Sequence, residues 1–182
     1  MIITITVTGK DRPGIISALT GTIYKVGGNL EDASMTILEG EFAMIVLVDL
    51  KSKSTYPKIQ SQLSQLSRRM GLRVSIEGIK YRLVRGEKHR SGTIPWIVSV
   101  LGKDRAGIVY QVSKALSDFG LNITDLNSKI IGKGRETSYA LVLEVDIPRK
   151  NSPVTSLKNK FQMLQKKLGV TIAFHPIEAS SF

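Results

Sequence analysis

The chain has 182 residues, 42% hydrophobic and 23% charged, a globular composition that excludes disorder and collagen-like repetition. Lysine and arginine outnumber the carboxylates by 26 to 15, a net charge of +11, and cysteine is absent. Without thiols there is no disulfide scaffold, thiolate metal site, iron–sulfur cluster or cysteine nucleophile.

Ile2 to Thr8 is an apolar, β-branched run that predicts a strand. A helix follows, with Ile15, Leu19, Ile23 and Val26 on one face. Asp11 is its expected N-cap, Pro13 falls in its first turn, and Gly27-Gly28-Asn29 stops it. Leu30 to Leu38 and Phe42 to Leu50 read as two strands joined by a short turn at Glu39-Gly40-Glu41. A second helix carries Ile59, Leu63, Leu66 and Met70 behind Pro57, and a last strand runs from Leu72 to Ile79. Tyr81 to Thr93 is a short, polar, basic linker. After it the series repeats. A strand from Ile94 to Leu101 precedes a helix with Ile108, Val112, Leu116 and Phe119, then two strands with a longer turn through Gly132-Lys133-Gly134-Arg135. A helix with Leu157, Phe161, Leu164 and Leu168 follows Pro153, and Val170 to Phe174 closes the chain's pattern.

The two halves are copies. Residues 5–32 align with 98–125 at 10 identities in 28 positions, where unrelated sequences would share about two at a residue frequency near ~6%. Val7-Thr8-Gly9-Lys10-Asp11-Arg12-Pro13-Gly14-Ile15 returns as Val100-Leu101-Gly102-Lys103-Asp104-Arg105-Ala106-Gly107-Ile108. Further on, Val48-Asp49 answers Val145-Asp146. A strand–helix–strand–strand–helix–strand order repeated in tandem predicts an α+β fold. It would consist of two ferredoxin-like βαββαβ domains, each an antiparallel sheet with two helices on one face. The expected boundaries are 1–80 for the first domain, 81–93 for the linker and 94–182 for the second. Open sheet edges and faces are usually covered, so the domains are expected to pack together and the chain to form at least a homodimer.

Function is narrowed by what is missing. The longest apolar run, Phe42 to Val48, is far shorter than the ~20 residues of a membrane span, and a β-pattern begins directly after Met1. A soluble cytoplasmic protein with no membrane partner is expected. His89 and His175 stand in no metal-ligand spacing, no Gly-x-Ser-x-Gly elbow occurs, and Gly9 to Gly14 lacks the Lys-Ser/Thr of a phosphate loop. No catalytic residue, metal or cofactor is expected. The net charge divides into +3 for residues 1–80, +3 for 81–92 and +5 for 93–182. Such a surface would serve a nucleic acid. The central strands, however, offer only Phe42, Trp96 and Tyr139 where RNA-recognition modules stack bases on paired aromatics. Nucleic-acid binding is therefore the alternative reading.

The remaining chemistry is the twice-present Gly-Lys-Asp-Arg-x-Gly-Ile at the first strand-to-helix turn. Helix starts leave amides free for an anion, and Asp11 or Asp104 would face an amino group. Together with Gly-Gly-Asn-Leu-Glu-Asp-Ala and the element order, this loop resembles the ACT domain. The tandem arrangement resembles the glycine cleavage system transcriptional repressor family. The resemblance implies a non-enzymatic regulator that binds an amino acid, glycine among the candidates, where domains meet, and that acts on a regulatory protein partner in transcriptional control of amino-acid metabolism. By the same resemblance the ligand-binding residues are Gly9, Asp11, Arg12, Gly14, Ile15 and Asn29, with Gly102, Asp104, Arg105, Gly107, Ile108 and Asn122 in the second copy. Pro13 becomes Ala106 and Gly28 becomes Leu121 between copies, which implies that the two pockets differ.

Overall fold

The computed structural model describes residues 1–80, 88–132 and 137–177. The chain divides into two compact units, Met1–Gly86 and Glu87–Phe182. The linker residues 81–87 and most of the longer turn in the second copy lie outside the described residues.

The first unit runs β1 (Ile2–Lys10), α1 (Ile15–Lys25), β2 (Gly28–Leu38), β3 (Glu41–Leu50), a 3-10 turn (Lys53–Thr55), α2 (Tyr56–Met70) and β4 (Arg73–Gly78). The second repeats it as β5 (Thr93–Lys103), α3 (Ile108–Asp118), β6 (Asn122–Ile131), β7 (Ser138–Pro148), α4 (Val154–Leu168) and β8 (Val170–Pro176). Each unit is one four-stranded antiparallel sheet, ordered β2-β3-β1-β4 and β6-β7-β5-β8. The tandem ferredoxin-like, α+β architecture expected from the repeat is therefore present. No helix among the described residues is long and apolar enough to cross a membrane.

The periodicities become cores. In β3 alternate residues Phe42, Met44, Val46, Val48 and Leu50 are buried against Ile15, Leu19 and Ile23 of α1 and Ile59, Leu63 and Leu66 of α2. In the second unit Leu141, Leu143, Val145 and Ile147 meet Ile108, Val112 and Leu116 of α3 and Leu157, Phe161 and Leu164 of α4. The edge strands β2 and β6 carry the same irregularity, between Leu30 and Asp32 and between Ile123 and Asp125. A β-bulge preserved between copies shows that the duplication extends to details of register. Trp96 is not displayed on the open face. Its ring stacks on Phe174 at 4.4 Å beside the core, and Tyr139 packs there too.

One local expectation fails. Asp11 does not cap α1, and Pro13 is not in its first turn. The helix starts at Ile15, its N-cap is Gly14 at φ 95°, and no side chain bonds the cap. Asp11 instead donates its backbone N–H to Gly40 O at 2.9 Å, tying the loop to the β2–β3 turn. Reversal into the helix then needs a left-handed residue, which only glycine adopts without strain. Gly107, at φ 92°, repeats this in the second unit.

Candidate functional site

The loop between β1 and α1 opens one side of a cleft of about 760 Å³ in the first unit. Asp11, Arg12, Pro13 and Gly14 form its rim, Ile15, Ile16, Ser17 and Thr20 of α1 one wall, and Met35, Ile37 and Phe42 the other. Met35 and Ile37 remain 42% and 51% exposed because they sit on an edge strand beyond the helix. The first amide tied within the helix is that of Ala18, which donates to Gly14 O at 3.0 Å. The N–H groups of residues 15–17 are thus the free donors of the helix start. Ser17 and Thr20 donate their hydroxyls to Gly14 O and Ile16 O at 3.1 and 2.9 Å, which leaves the lone pairs of both oxygens available as acceptors. The cleft therefore joins an anion-favouring helix start, one carboxylate and one guanidinium to an apolar wall.

Apart from Ile15, which meets the cleft from the core side, the other sequence-predicted residues fall elsewhere. Gly9 pairs with Phe42 inside β1, and a Cβ there would lie 2.8 Å from Leu72 Cδ2. At Gly102 it would lie 2.7 Å from Val170 Cγ1. Both glycines are explained by close strand packing. Ile15 and Ile108 are each 2% exposed and belong to the cores. Asn29 stands beyond the far end of α1, exposed, its Nδ2 donating to Glu31 Oε1 at 3.0 Å. Within one unit the fold does not bring it to the loop. Asn122 lines a separate depression of about 540 Å³ with Tyr110, Ser113, Lys114, Ser117, Leu121 and Ile123. Asp104 is exposed at the second loop, but Arg105 turns away from it. Its Nη1 reaches Leu168 O at 3.5 Å, at the C-terminus of α4, where a cation complements the helix dipole. The two loops share a backbone and differ in what their arginines do.

A charged cluster in the second unit was not read from the sequence. Asp146, 2% exposed, receives His89 Nδ1 at 2.8 Å and the Arg90 amide at 3.0 Å. Glu144 takes Lys88 Nζ at 2.6 Å and the Thr124 hydroxyl at 2.8 Å. Burial pushes both carboxyls up, but these donors outweigh it and hold both below their ordinary values. The Glu144 hydrogen bond raises Lys88 against a smaller opposing effect of burial. The cluster pins residues 88–90 to the sheet face opposite the helices. In the first unit the matching Asp49 holds the Met1 ammonium at 3.1 Å. The pairing of Asp49 with Asp146 in the repeat was the available signal: both hold the segment that enters the first strand.

The ACT domain family matches residues 1–77 and 95–175. The chain belongs to the ACT domain family. Each match covers one unit. This ACT chain is 34% identical over 74 residues to a UPF0237 protein of Methanopyrus kandleri, covering 40% of the chain and 82% of that relative. A UPF0237 protein of Clostridium acetobutylicum matches equally, at 34% over 74 residues, 40% of the chain and 83% of the relative. Across both units the chain resembles the structure of an unknown protein from Galdieria sulphuraria, with TM-score 0.79 and 25% identity over 97% of this chain and 98% of that one. It also shares its fold with a protein proposed to be a glycine cleavage system transcriptional repressor, with TM-score 0.71 and 18% identity over 98% of each chain.

Proposed function

We propose that this tandem ACT protein is a non-enzymatic regulator that binds an amino acid in the first unit's cleft and passes the signal to a protein partner. The observation that carries the reading is the convergence in that cleft of Asp11, Arg12 and the start of α1 with Ile16, Met35, Ile37 and Phe42. A zwitterionic head satisfies the first group: its carboxylate meets the helix amides and Arg12, and its ammonium meets Asp11. The apolar wall then favours an amino acid with a sizeable apolar side chain over glycine, because glycine would leave that wall in water. The exposed apolar residues of the edge strands, Ile37 and Leu38 on β2 and Ile130 and Ile131 on β6, support a homodimer. The protein acts in the cytoplasm, and control of transcription in amino-acid metabolism is the setting that the repressor-like relative suggests.

The test is a thermal-shift screen against the twenty amino acids, since a ligand of the native state raises the midpoint by mass action. A large apolar amino acid is expected to give the largest shift. Titration calorimetry with that amino acid should then show at least about a tenfold loss for Arg12→Gln, equivalent to about 1.4 kcal/mol, and little change for Arg105→Gln. No shift from any amino acid, or equal losses from the two arginine variants, refutes the assignment.

A further inference from the structure

The excess positive charge is not scattered over the fold. Among the described elements it collects on the second helix of each unit. α2 carries Lys58, Arg68 and Arg69, and α4 carries Lys158, Lys160, Lys166 and Lys167; neither helix has an aspartate or glutamate. All seven cations are exposed, and none has an ion-pair partner among the described residues. Between them lie neutral hydrogen-bonding side chains, Ser61 and Gln65 on α2 and Asn159 and Gln162 on α4, all exposed.

Helix stability does not account for this. Cations in a last turn complement the macrodipole, which covers Arg68, Arg69, Lys166 and Lys167. Lys58 lies in the first turn of α2, where the dipole favours a carboxylate instead, and Lys158 and Lys160 lie beyond the first turn of α4, where the dipole gives a cation no advantage. Both first turns are free of acidic residues. Most of the carboxylates sit on strands and loops, such as Glu144 and Asp146, already engaged by Lys88 and His89. The same segregation occurs on the corresponding helix of two diverged copies, although only the last-turn pair keeps its positions.

We propose that the outward faces of α2 and α4 bind the phosphate backbone of duplex nucleic acid, without reading its sequence. Lysine and arginine interleaved with serine, asparagine and glutamine is the side-chain set that contacts phosphate oxygens. A lipid surface fits less well. The apolar sides of both helices are buried in their own cores, leaving Met163 as the one large apolar side chain exposed on them, too little for insertion. An acidic protein fits less well because neither face presents the aromatic anchors that carry such interfaces. The inference is independent of the amino-acid site.

The test is fluorescence anisotropy with a duplex of random sequence across a salt series. Affinity should fall with a log–log slope of about −3.6 if α4 alone engages and about −6.3 if both helices do, at about −0.9 per phosphate contact. Replacing Lys58, Arg68 and Arg69 by Gln, or the four α4 lysines by Gln, should flatten the slope by roughly one per contacting residue. Lys103→Gln with Lys129→Gln should leave it unchanged. Circular dichroism checks that the variants fold, and the slope of the unaltered protein stands without them. A slope shallower than about −2 for the unaltered protein overturns the proposal. So does equal weakening by the Lys103 and Lys129 changes, or tighter binding to phosphatidylserine vesicles or polyglutamate than to the duplex.

Discussion

Asp146→Ala tests the energetics of the cluster that pins residues 88–90. The carboxylate is 2% exposed and accepts from His89 at 2.8 Å and from the Arg90 amide at 3.0 Å. Hydrogen bonds to a charged group contribute about 1.5–3 kcal/mol each. The two bonds end on the two oxygens of one carboxylate and are coupled, so the expected loss is about 3 kcal/mol rather than their full sum. The single tryptophan of the chain, Trp96, lies in β5, so its fluorescence in urea reports the unfolding of the second unit. With a urea dependence of about 1.5 kcal/mol/M for a unit of this size, the midpoint should drop by about 2 M. Asp146→Asn still accepts from the Arg90 amide and should lose only about half as much, within the range for one neutral bond. The sign with pH follows from the lowered folded-state value of Asp146. Its contribution is complete above the unfolded value of about 3.9 and disappears as the pH falls through the folded value. The deficit of Asp146→Ala should therefore be full at about pH 7 and shrink steadily as the pH is lowered below about 3.9. An unchanged midpoint at about pH 7, or a deficit that does not shrink on acidification, refutes the reasoning.

Gly102→Ala places a Cβ 2.7 Å from Val170 Cγ1 and 3.0 Å from Val170 Cα, and Trp96 fluorescence should show about 1–3 kcal/mol of destabilisation from overpacking. Gly9→Ala meets the end of the Leu72 side chain, which can move, so it should cost the lower end of that range, about 1 kcal/mol by thermal unfolding. Asn29→Gly removes an amide bonded to Glu31 and remote from the first unit's cleft. Amino-acid affinity by calorimetry should stay within about twofold, well under the effect of one lost hydrogen bond, and a larger fall would put the amide back at the ligand.

Topology was legible because duplication displayed each pattern twice. Ile15, Leu19 and Ile23 at helical spacing and Phe42 to Leu50 in alternation required only local periodicity to be read, and both ended in the core. The loop was legible as a motif but not as geometry. Asp11 has the chemistry of a cap, yet its amide is taken by Gly40, 29 residues away in sequence and adjacent in space. Asn29 follows the loop's helix in sequence, and a helix of 11 residues separates them along its axis. The cluster around Asp146 was hidden for the same reason, since its donors arrive from a segment 56 and 57 residues earlier.

The strand order has a consequence for how each unit is made during synthesis. The first strand to leave the ribosome, β1, is a central one, flanked by β3 and by the last strand, β4. A nascent chain that has reached only Leu50 can form the β2-β3-β1 sheet and still leaves one side of β1 unpaired, with apolar neighbours beside it. Such an edge invites pairing with another chain, and the contact that closes it spans nearly the whole unit, which makes it slow to form. Gly78 is the residue at which the first unit can finish. From there it stands complete while its twin, a diverged copy of the same pattern, begins the same wait, so the first unit's strands are already paired when those of the second emerge.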